Sequence, residues 1–307
     1  MKNSASTGIS VLKSRSIQIG AAALCALFLQ GPATAAADSS ASCNRDCLKG
    51  FVEQYLTALA KHDPAPLPVA TSVKFTENGE ILHLGEGFWK TAGEAEPYRL
   101  YVLDPESGGA ALQTIVKEKD TVVQMLLRLK VDDKKISEVE TLVVRKGDQQ
   151  FFKPEVLPTL SAVYSQPVPA AQRATRQQLL KAADAYFVAI HTEGTPQYKP
   201  APFGEGMNRY ENGVQTTNVP FNGHEPTTAG QQLDKAAFKG VKVMDRRYPV
   251  VDVENGTVLG IVTFRGDSPE RKTTLLLSEV FKVTGGKLRE IRAVMLNRPL
   301  DAKTGWN

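Results

Sequence analysis

The sequence has few residues of the kinds that most often bind metals or act as covalent nucleophiles. Its 307 residues include three cysteines and four histidines, and the histidines are scattered singly along the chain. It contains no G-x-S-x-G motif, no phosphate-binding loop and no dinucleotide fingerprint. We therefore do not expect covalent acyl transfer, phosphoryl transfer or nicotinamide chemistry, and we predict neither a metal nor a cofactor.

An excess of one charge is also nearly absent. The formal net charge is +4, and Lys2, Lys13 and Arg15 are the only charged residues before Asp38. Without those three the net charge is +4 − 3 = +1, so nothing favours binding to nucleic acid or to an anionic membrane. The hydrophobic fraction of 42% excludes a disordered chain.

The N-terminus has the pattern of an export signal. Basic residues precede an apolar run from Ile17 to Leu29, which is too short to cross a membrane as a helix. A stretch of small residues follows, with A-x-A sites ending at Ala35 and Ala37. We predict that residues 1–37 are a signal peptide, and that the mature protein is periplasmic or secreted without stable membrane insertion. An uncleaved membrane anchor is the alternative.

The mature chain then keeps two cysteines, because Cys25 is removed with the signal. Cys43 and Cys47 stand four residues apart at the start of a predicted helix. Outside the cytosol two such thiols tend to oxidise, and their spacing allows a disulfide if the first helical turn is loose. A disulfide here would hold the start of the helix in place.

Two segments carry the same amphipathic helix pattern, in which apolar residues recur at i, i+3, i+4 and i+7. Thr175 and Gln178 predict a capping box at the start of the second helix. The apolar stripes are Leu48, Phe51, Val52, Tyr55, Leu56 and Leu59 in the first helix, and Leu179, Ala183, Tyr186, Phe187 and Ile190 in the second.

A matching strand phrase follows each helix, and it ends in Glu77-Asn78-Gly79 or in Glu211-Asn212-Gly213. Further β-rich runs predict an antiparallel meander in each copy. These runs are 112–116, 122–131 and 136–144 in the first copy, and 241–243, 258–264, 274–283 and 288–296 in the second.

The repeat predicts an α+β protein with two domains, at residues 43–153 and 175–300. A proline-rich linker of residues 154–174 would join them, and residues 301–307 would form a C-terminal tail. The second copy is longer by about 18 residues between Glu211 and Lys282. That insertion could be a lid or an interface.

The phrase from Tyr55 to Pro64, leading to the strand that ends at Gly79, resembles the NTF2-like/SnoaL-like superfamily of cone-shaped folds. Together with the second copy and Thr304-Gly305-Trp306, it resembles exported tandem SnoaL-like proteins without an assigned activity. The resemblance implies two tandem domains, each with a long helix packed on a curved antiparallel sheet. It also implies that the two domains pair within the chain.

The resemblance extends to ketosteroid isomerases, which place a tyrosine donor on the first helix and a carboxylate base on the next strand. It implies Tyr55 and Glu77 as such a pair in the first domain, and Tyr186 and Glu211 in the second. A third acid on a late strand should fall near Leu126 or Ser278, where neither residue is acidic. The alternative is that the Glu-Asn-Gly phrases are turns and the tyrosines are core residues.

Three further residues are candidates for binding a substrate. Arg247 could point into the second cone and hold an anionic oxygen, or could lie on a solvated strand edge. Trp89 could stand at a pocket rim or pack in a core. Asn212, next to Glu211, is the third candidate.

Together these residues predict a cofactor-free lyase or isomerase that acts by proton abstraction on a small apolar or aromatic molecule. The second domain is the favoured active domain, because its insertion could enclose a pocket. The alternative is a non-catalytic protein that binds a small ligand or serves as a scaffold.

Overall fold

The computed structural model describes residues 43–156, 160–266 and 273–306, so the predicted signal peptide lies outside the described residues. Among the described helices, none combines the length and hydropathy needed to cross a membrane. The helices are α1 (Arg45–Ala60), α2 (Ala162–Ser165), α3 (Arg176–Thr192) and α4 (Ala229–Asp234). The strands are β1 (Val69–Glu77), β2 (Glu80–Leu82), β3 (Ala92–Ala95), β4 (Leu100–Asp104), β5 (Gly109–Glu118), β6 (Thr121–Asp132), β7 (Lys135–Val144), β8 (Phe203–Glu211), β9 (Val214–Gln215), β10 (Val241–Asp252), β11 (Thr257–Gly266), β12 (Thr273–Thr284) and β13 (Lys287–Pro299).

Both predicted amphipathic helices are confirmed as α1 and α3, and every residue of the two predicted stripes is buried. The capping box at Thr175 and Gln178 is also present, with both of its hydrogen bonds. Cys43 and Cys47 are joined by a disulfide across the start of α1, with their Cα atoms 5.3 Å apart. The disulfide therefore encloses the residue Asn44, whose side chain caps α1 at the backbone N–H of Cys47.

The strands form two sheets in a mixed α+β structure. The order of the first is β2-β1-β7-β6-β5-β3, with β4 also paired to β5, and the order of the second is β10-β11-β12-β13-β8-β9. The predicted antiparallel meanders are confirmed as β5-β6-β7 and β10-β11-β12-β13. The sequence analysis did not predict the parallel pairs β1–β7 and β8–β13, which bring the first strand of each half beside its last.

The two Asn-Gly phrases make two-residue hairpin turns, between β1 and β2 and between β8 and β9. Asn78 and Asn212 adopt φ of 50° and 44°, and the glycines after them adopt 83° and 85°. Asparagine and glycine tolerate this left-handed backbone, which is why this pair is the commonest signal for such turns. The turn interpretation of both phrases is therefore confirmed, and it leaves each preceding glutamate at the end of a strand.

A segment from beyond the last strand of one half covers the Asn-Gly turn of the other. A Cβ on Gly213 would lie 2.1 Å from the carbonyl oxygen of Lys153, and one on Gly79 would lie 2.8 Å from that of Lys303. Only glycine therefore permits these approaches of backbone to backbone. The tail continues to Trp306, whose indole N–H donates to Thr76 at 2.8 Å.

Apolar side chains form three buried clusters. One joins α1 to strands of the first sheet, and a second joins α3 to strands of the second sheet. The third draws on both sheets, and includes Leu126 and Leu142 from the first and Leu276 and Val294 from the second. The predicted linker contributes Tyr164 to this third cluster, where its hydroxyl donates to the carbonyl oxygen of Val280 at 2.7 Å.

Candidate functional site

A cavity of about 1030 Å³ lies in the second half of the chain. Tyr186, Arg209, Glu211 and Glu279 line its buried part. Tyr186 comes from α3, Arg209 and Glu211 from β8, and Glu279 from β12. Two of the four predicted catalytic residues, Tyr186 and Glu211, therefore share one cavity with a cation and a second acid that the sequence analysis did not identify.

The sheet register places Glu211 and Glu279 in one row. Glu211 pairs with Ala293 across β8 and β13, and Ala293 pairs with Glu279 across β13 and β12. Residues in one row point to the same face, and neighbouring strands lie ~4.8 Å apart, so the two glutamate Cα atoms are about 10 Å apart. Ala293, which lies between them in the row, contributes only a methyl group.

Glu279 is buried, with 2% of its surface exposed, and its Oε2 atom has no hydrogen-bond partner in the described structure. Burial raises the pKa of Glu279 to about 8; Arg209 opposes that rise and Glu211 adds to it. A carboxyl group with this pKa is mostly protonated at neutral pH and can donate a hydrogen bond. The cavity thus holds a buried acid at one end of the row and, at the other end, the Glu211 carboxyl group in an ion pair with Arg209.

An acid stands one residue from Ser278, near which the resemblance placed a third acid. Ser278 has its hydroxyl 3.4 Å from the carbonyl oxygen of Val294 and lies between Leu277 and Glu279 in β12. Successive side chains of a strand alternate between the two faces, so Glu279 faces the cavity and Ser278 faces away. In the first half, the equivalent shift of one residue leads from Leu126 to Leu127. Leu127 pairs with Thr141, which pairs with Glu77.

Arg209 connects the polar groups of the cavity. Its Nε lies 3.2 Å from the Glu211 carboxylate, and its Nη1 donates to the Tyr186 hydroxyl at 3.3 Å. Burial acts against the charge of Arg209, but Tyr186, Glu211 and Glu279 outweigh it, so the pKa of the guanidinium is raised. Burial also raises the pKa of Tyr186 far above its usual value, so its hydroxyl keeps its proton.

The equivalent positions of the first half carry apolar side chains. Phe75 stands two residues before the turn glutamate, as Arg209 does, and Leu127 occupies the row position of Glu279. The Tyr55 hydroxyl accepts a hydrogen bond from the Trp89 indole at 3.0 Å, and both residues are 1% exposed. Trp89 therefore fills the interior of the first half, and the prediction that it stands at a pocket rim is wrong.

Glu77 is bound to backbone in the first half. Its two carboxylate oxygens accept from the backbone N–H of Phe88 at 3.2 and 2.9 Å. Burial raises the pKa of Glu77, while the Phe88 hydrogen bond and Arg145 oppose the rise. Glu77 therefore anchors the short helical turn Gly87–Lys90 to the end of β1.

Two predicted substrate-binding residues have structural contacts instead. The Asn212 amide donates to the carbonyl oxygens of Met295 and Phe151 at 2.7 and 3.1 Å, and its Oδ1 accepts from the Met295 backbone N–H at 2.9 Å. Arg247 forms an ion pair with Glu140 of the first sheet at 2.6 Å. Neither Asn212 nor Arg247 belongs to the cavity lining.

The predicted insertion falls mainly between β9 and β10. This connection, residues 216–240, contains α4, whereas residues 83–91 connect β2 to β3 in the first half. Phe221, His224, Gln232 and Phe238 of the 216–240 connection line the cavity. The insertion thus forms part of the cavity wall, and Phe221 lies 5.2 Å from Phe151, which follows the first sheet.

Comparison with known proteins adds little about activity. A family model described as a domain of unknown function (DUF8021) matches residues 172–295. No curated protein matches the sequence. Among solved structures, the chain is similar to a Kribbella flavida protein provisionally named a ketosteroid isomerase, at 16% identity and a TM-score of 0.26 over 40% of this chain and 90% of that one.

Proposed function

We propose that the second half is a cofactor-independent lyase or isomerase that transfers protons on a small apolar or aromatic molecule. The observation that carries the proposal is the pair of carboxyl groups in one cavity, Glu279 held protonated by burial and Glu211 in an ion pair with Arg209. Environments that separate the protonation states of two carboxyl groups are how enzymes assign an acid and a base.

Each group in the cavity has a role in this proposal. Glu211 takes the proton from a carbon of the substrate. The Glu279 carboxylic acid and the Tyr186 hydroxyl donate hydrogen bonds to the oxygen on which negative charge develops. Before the reaction, the positive charge of Arg209 balances the negative charge of Glu211. After the proton has moved to Glu211, the same positive charge stabilises the anionic intermediate. The proton on Glu211 is then returned to a different atom, or it leaves with an eliminated group.

We also propose that the two halves are tandem NTF2-like domains paired within one chain, of which the first is structural. Phe75, Leu127 and Trp89 fill its interior where the second half has charged groups and a cavity. The third apolar cluster, to which both sheets contribute, supports the pairing.

Export of the mature chain completes the proposal. The support is the signal-peptide pattern of residues 1–37 and the Cys43–Cys47 disulfide, since disulfides persist in oxidising compartments. Export is tested by expressing the full-length chain in a cell that processes secretory signal peptides and determining the N-terminus of the protein by mass spectrometry. A mature N-terminus after Ala35 or Ala37 is expected, and an intact N-terminus on a membrane-bound chain would contradict it.

The activity is tested by finding ligands first and chemistry second. A small-molecule library is screened by thermal shift against the purified protein, because a ligand of the folded state raises its melting temperature. Each ligand is then incubated in D₂O, and deuterium exchange at its carbon atoms is followed by NMR. We expect exchange with the wild-type protein, and a loss of ~100-fold or more in Glu211→Gln with ligand affinity retained.

The matched control is Glu77→Gln, which makes the same change at the equivalent turn of the first half. We expect this variant to exchange deuterium at the wild-type rate. Ligands that bind without any exchange would contradict the enzyme and favour the alternative, a protein that only binds a small molecule. Equal exchange in wild type and Glu211→Gln would contradict the role of Glu211.

A further inference from the structure

We propose that Gln232 is a positioning residue, whose side-chain amide holds the Arg209 guanidinium beside Glu211 and Glu279. The inference deepens the proposed function and rests on it, since it concerns the same cavity. It assigns a purpose to the 216–240 connection, which the first half lacks.

Gln232 is held at both ends of its amide group. Its Oε1 accepts from Arg209 Nη2 at 2.6 Å, and its Nε2 donates to the carbonyl oxygen of Thr216 at 2.6 Å and to the Thr227 hydroxyl at 3.2 Å. The two donor contacts fix which way the amide points, so its oxygen is directed at Arg209. Gln232 itself belongs to α4, whose start is fixed by a capping box of Thr228 and Gln231.

Two more residues of the same connection contact the guanidinium. The Thr216 hydroxyl accepts from Arg209 Nε at 3.1 Å, and the Phe238 ring centre lies 5.3 Å from Arg209 Cζ. In the first half, Phe75 occupies the position of Arg209. The short connection of residues 83–91 stands there in place of the 216–240 connection. The buried cation and the segment that surrounds it therefore occur together.

The position of Arg209 matters because its charge acts on Glu279. The groups that interact electrostatically with Glu279 are Arg209 and Glu211 on β8, Tyr186 on α3, Tyr248 on β10 and Tyr164 on α2. Three further titratable residues line the same cavity: His224, Glu225 and Lys235. Among the groups that interact with Glu279, Arg209 is the cation that favours the ionised carboxylate. If the guanidinium swings away from Glu279, the acid holds its proton more tightly.

The test measures the titration of Glu279 in the ligand-free protein. Glutamate carboxyl carbons are labelled with ¹³C, and the Glu279 signal is assigned by its absence in Glu279→Gln. In Gln232→Met, which keeps the length of the side chain but loses its amide, we expect the titration midpoint to rise by about 0.5 to 1 pH unit. Thr216→Val removes the acceptor for Arg209 Nε and should raise the midpoint by a smaller amount.

The matched control is Gln231→Ala. This variant weakens α4 by removing the capping-box hydrogen bond to the Thr228 N–H, but within the described residues the Gln231 side chain makes no hydrogen bond to Arg209. We expect its Glu279 midpoint to equal that of wild type. An unchanged midpoint in folded Gln232→Met would overturn the proposal, and Thr216→Val decides in the same way if Gln232→Met does not fold. The measurement needs no substrate, so its outcome is separate from the search for an activity.

Discussion

Arg45, at the start of α1, forms a bidentate ion pair with Asp252 at the end of β10, with N–O distances of 2.7 and 2.8 Å. Asp252 also accepts from the backbone N–H of Leu103 in the other half. The reverse arrangement exists too, because Arg176 at the start of α3 pairs with Asp104 at the end of β4. Each half thus binds the other through the same surface, as the subunits of a symmetric dimer do.

The first prediction concerns Asp104. Burial opposes ionisation of this carboxyl, but hydrogen bonds from Arg176, Ser107 and the Val251 N–H outweigh it and lower its pKa below 3.8. Asp104→Asn should therefore cost about 2 kcal/mol of unfolding free energy at pH 7, measured by urea denaturation. The stabilisation is present above pH 3.8 and is lost as the pH falls through the native pKa, so wild type and variant should converge in acid.

Glu106→Gln is the control for Asp104→Asn. Glu106 pairs with the same Arg176 at 3.6 Å, but its side chain is 72% exposed. We expect a change of less than about 0.5 kcal/mol, because exposed ion pairs contribute little. Equal losses in the two variants would contradict the larger contribution assigned to the buried pair.

The second prediction concerns the pH dependence of stability. The pKa of Glu279 is raised from 4.5 to about 8 in the folded protein. Because the folded state binds this proton more tightly, its stabilising effect is full below pH 4.5 and is lost as the pH rises toward 8. Between pH 4.5 and 8, the free energy of unfolding of the wild type should therefore fall, relative to that of Glu279→Gln, by up to about 1.4 kcal/mol per pH unit. Thermal and urea unfolding between pH 5 and 9 measure the difference.

Glu205→Gln tests whether that slope belongs to Glu279. Glu205 lies on β8 of the same sheet, but its side chain is exposed. We expect this variant to follow the wild-type pH dependence throughout. A wild-type slope that persists in Glu279→Gln would mean that another group releases the proton.

Patterns among residues close in sequence predicted the helices and turns correctly. The sequence analysis missed Glu279, whose place in the cavity depends on the pairing of strands that are far apart in sequence. The stripes of α1 and α3 and the Asn-Gly turns involve residues a few positions apart, so the sequence alone sufficed. Glu279 faces the cavity because of the strand register that links β8, β13 and β12, over more than 60 residues of chain. The resemblance indicated only a position near Ser278, and a shift of one residue along a strand moves a side chain to the opposite face of the sheet.

Other signals in the sequence could have been read further. Arg209 lies in the matching phrase where the first copy has Phe75, so a charged residue in an otherwise apolar position marked the half to which the cavity residues Tyr186, Arg209 and Glu279 belong. The proline-rich segment suggested a free linker, but Tyr164 within it is buried between the sheets. Val168 of the same segment is buried as well, and its backbone N–H donates to the carbonyl oxygen of Glu254 at 3.1 Å.

The third prediction compares the two turn asparagines. Asn212→Ala removes bonds to the Met295 N–H and to the Met295 and Phe151 carbonyls, whereas Asn78→Ala removes bonds to the Val143 N–H and carbonyl alone. Alanine also tolerates the left-handed turn poorly. We expect losses of about 3 kcal/mol for Asn212→Ala and about 2 kcal/mol for Asn78→Ala. Urea unfolding measures both, and equal losses would show that the bond to Phe151 contributes nothing.

The fourth prediction concerns the C-terminal tail. Trp306 donates to Thr76 at 2.8 Å, and its ring centre lies 4.2 Å from Lys74 Nζ and 4.4 Å from Arg128 Cζ. Trp306→Ala removes the hydrogen bond, the cation–π contacts and the packing, so we expect a loss of about 2 to 3 kcal/mol. Trp306→Phe keeps an aromatic ring but no N–H group, and should lose about 1 kcal/mol.

The tail also offers a control for the Trp306 variants, since the Asp301 side chain is 94% exposed in its ion pair with Arg265. Asp301→Ala should change the unfolding free energy by less than about 0.5 kcal/mol. If Trp306→Ala has the same urea midpoint as the wild type, then the contacts of the tail with the first half do not contribute to the free energy of unfolding. If it is destabilised as expected, the last residues of the second half stabilise the first, and the two halves unfold as one cooperative unit.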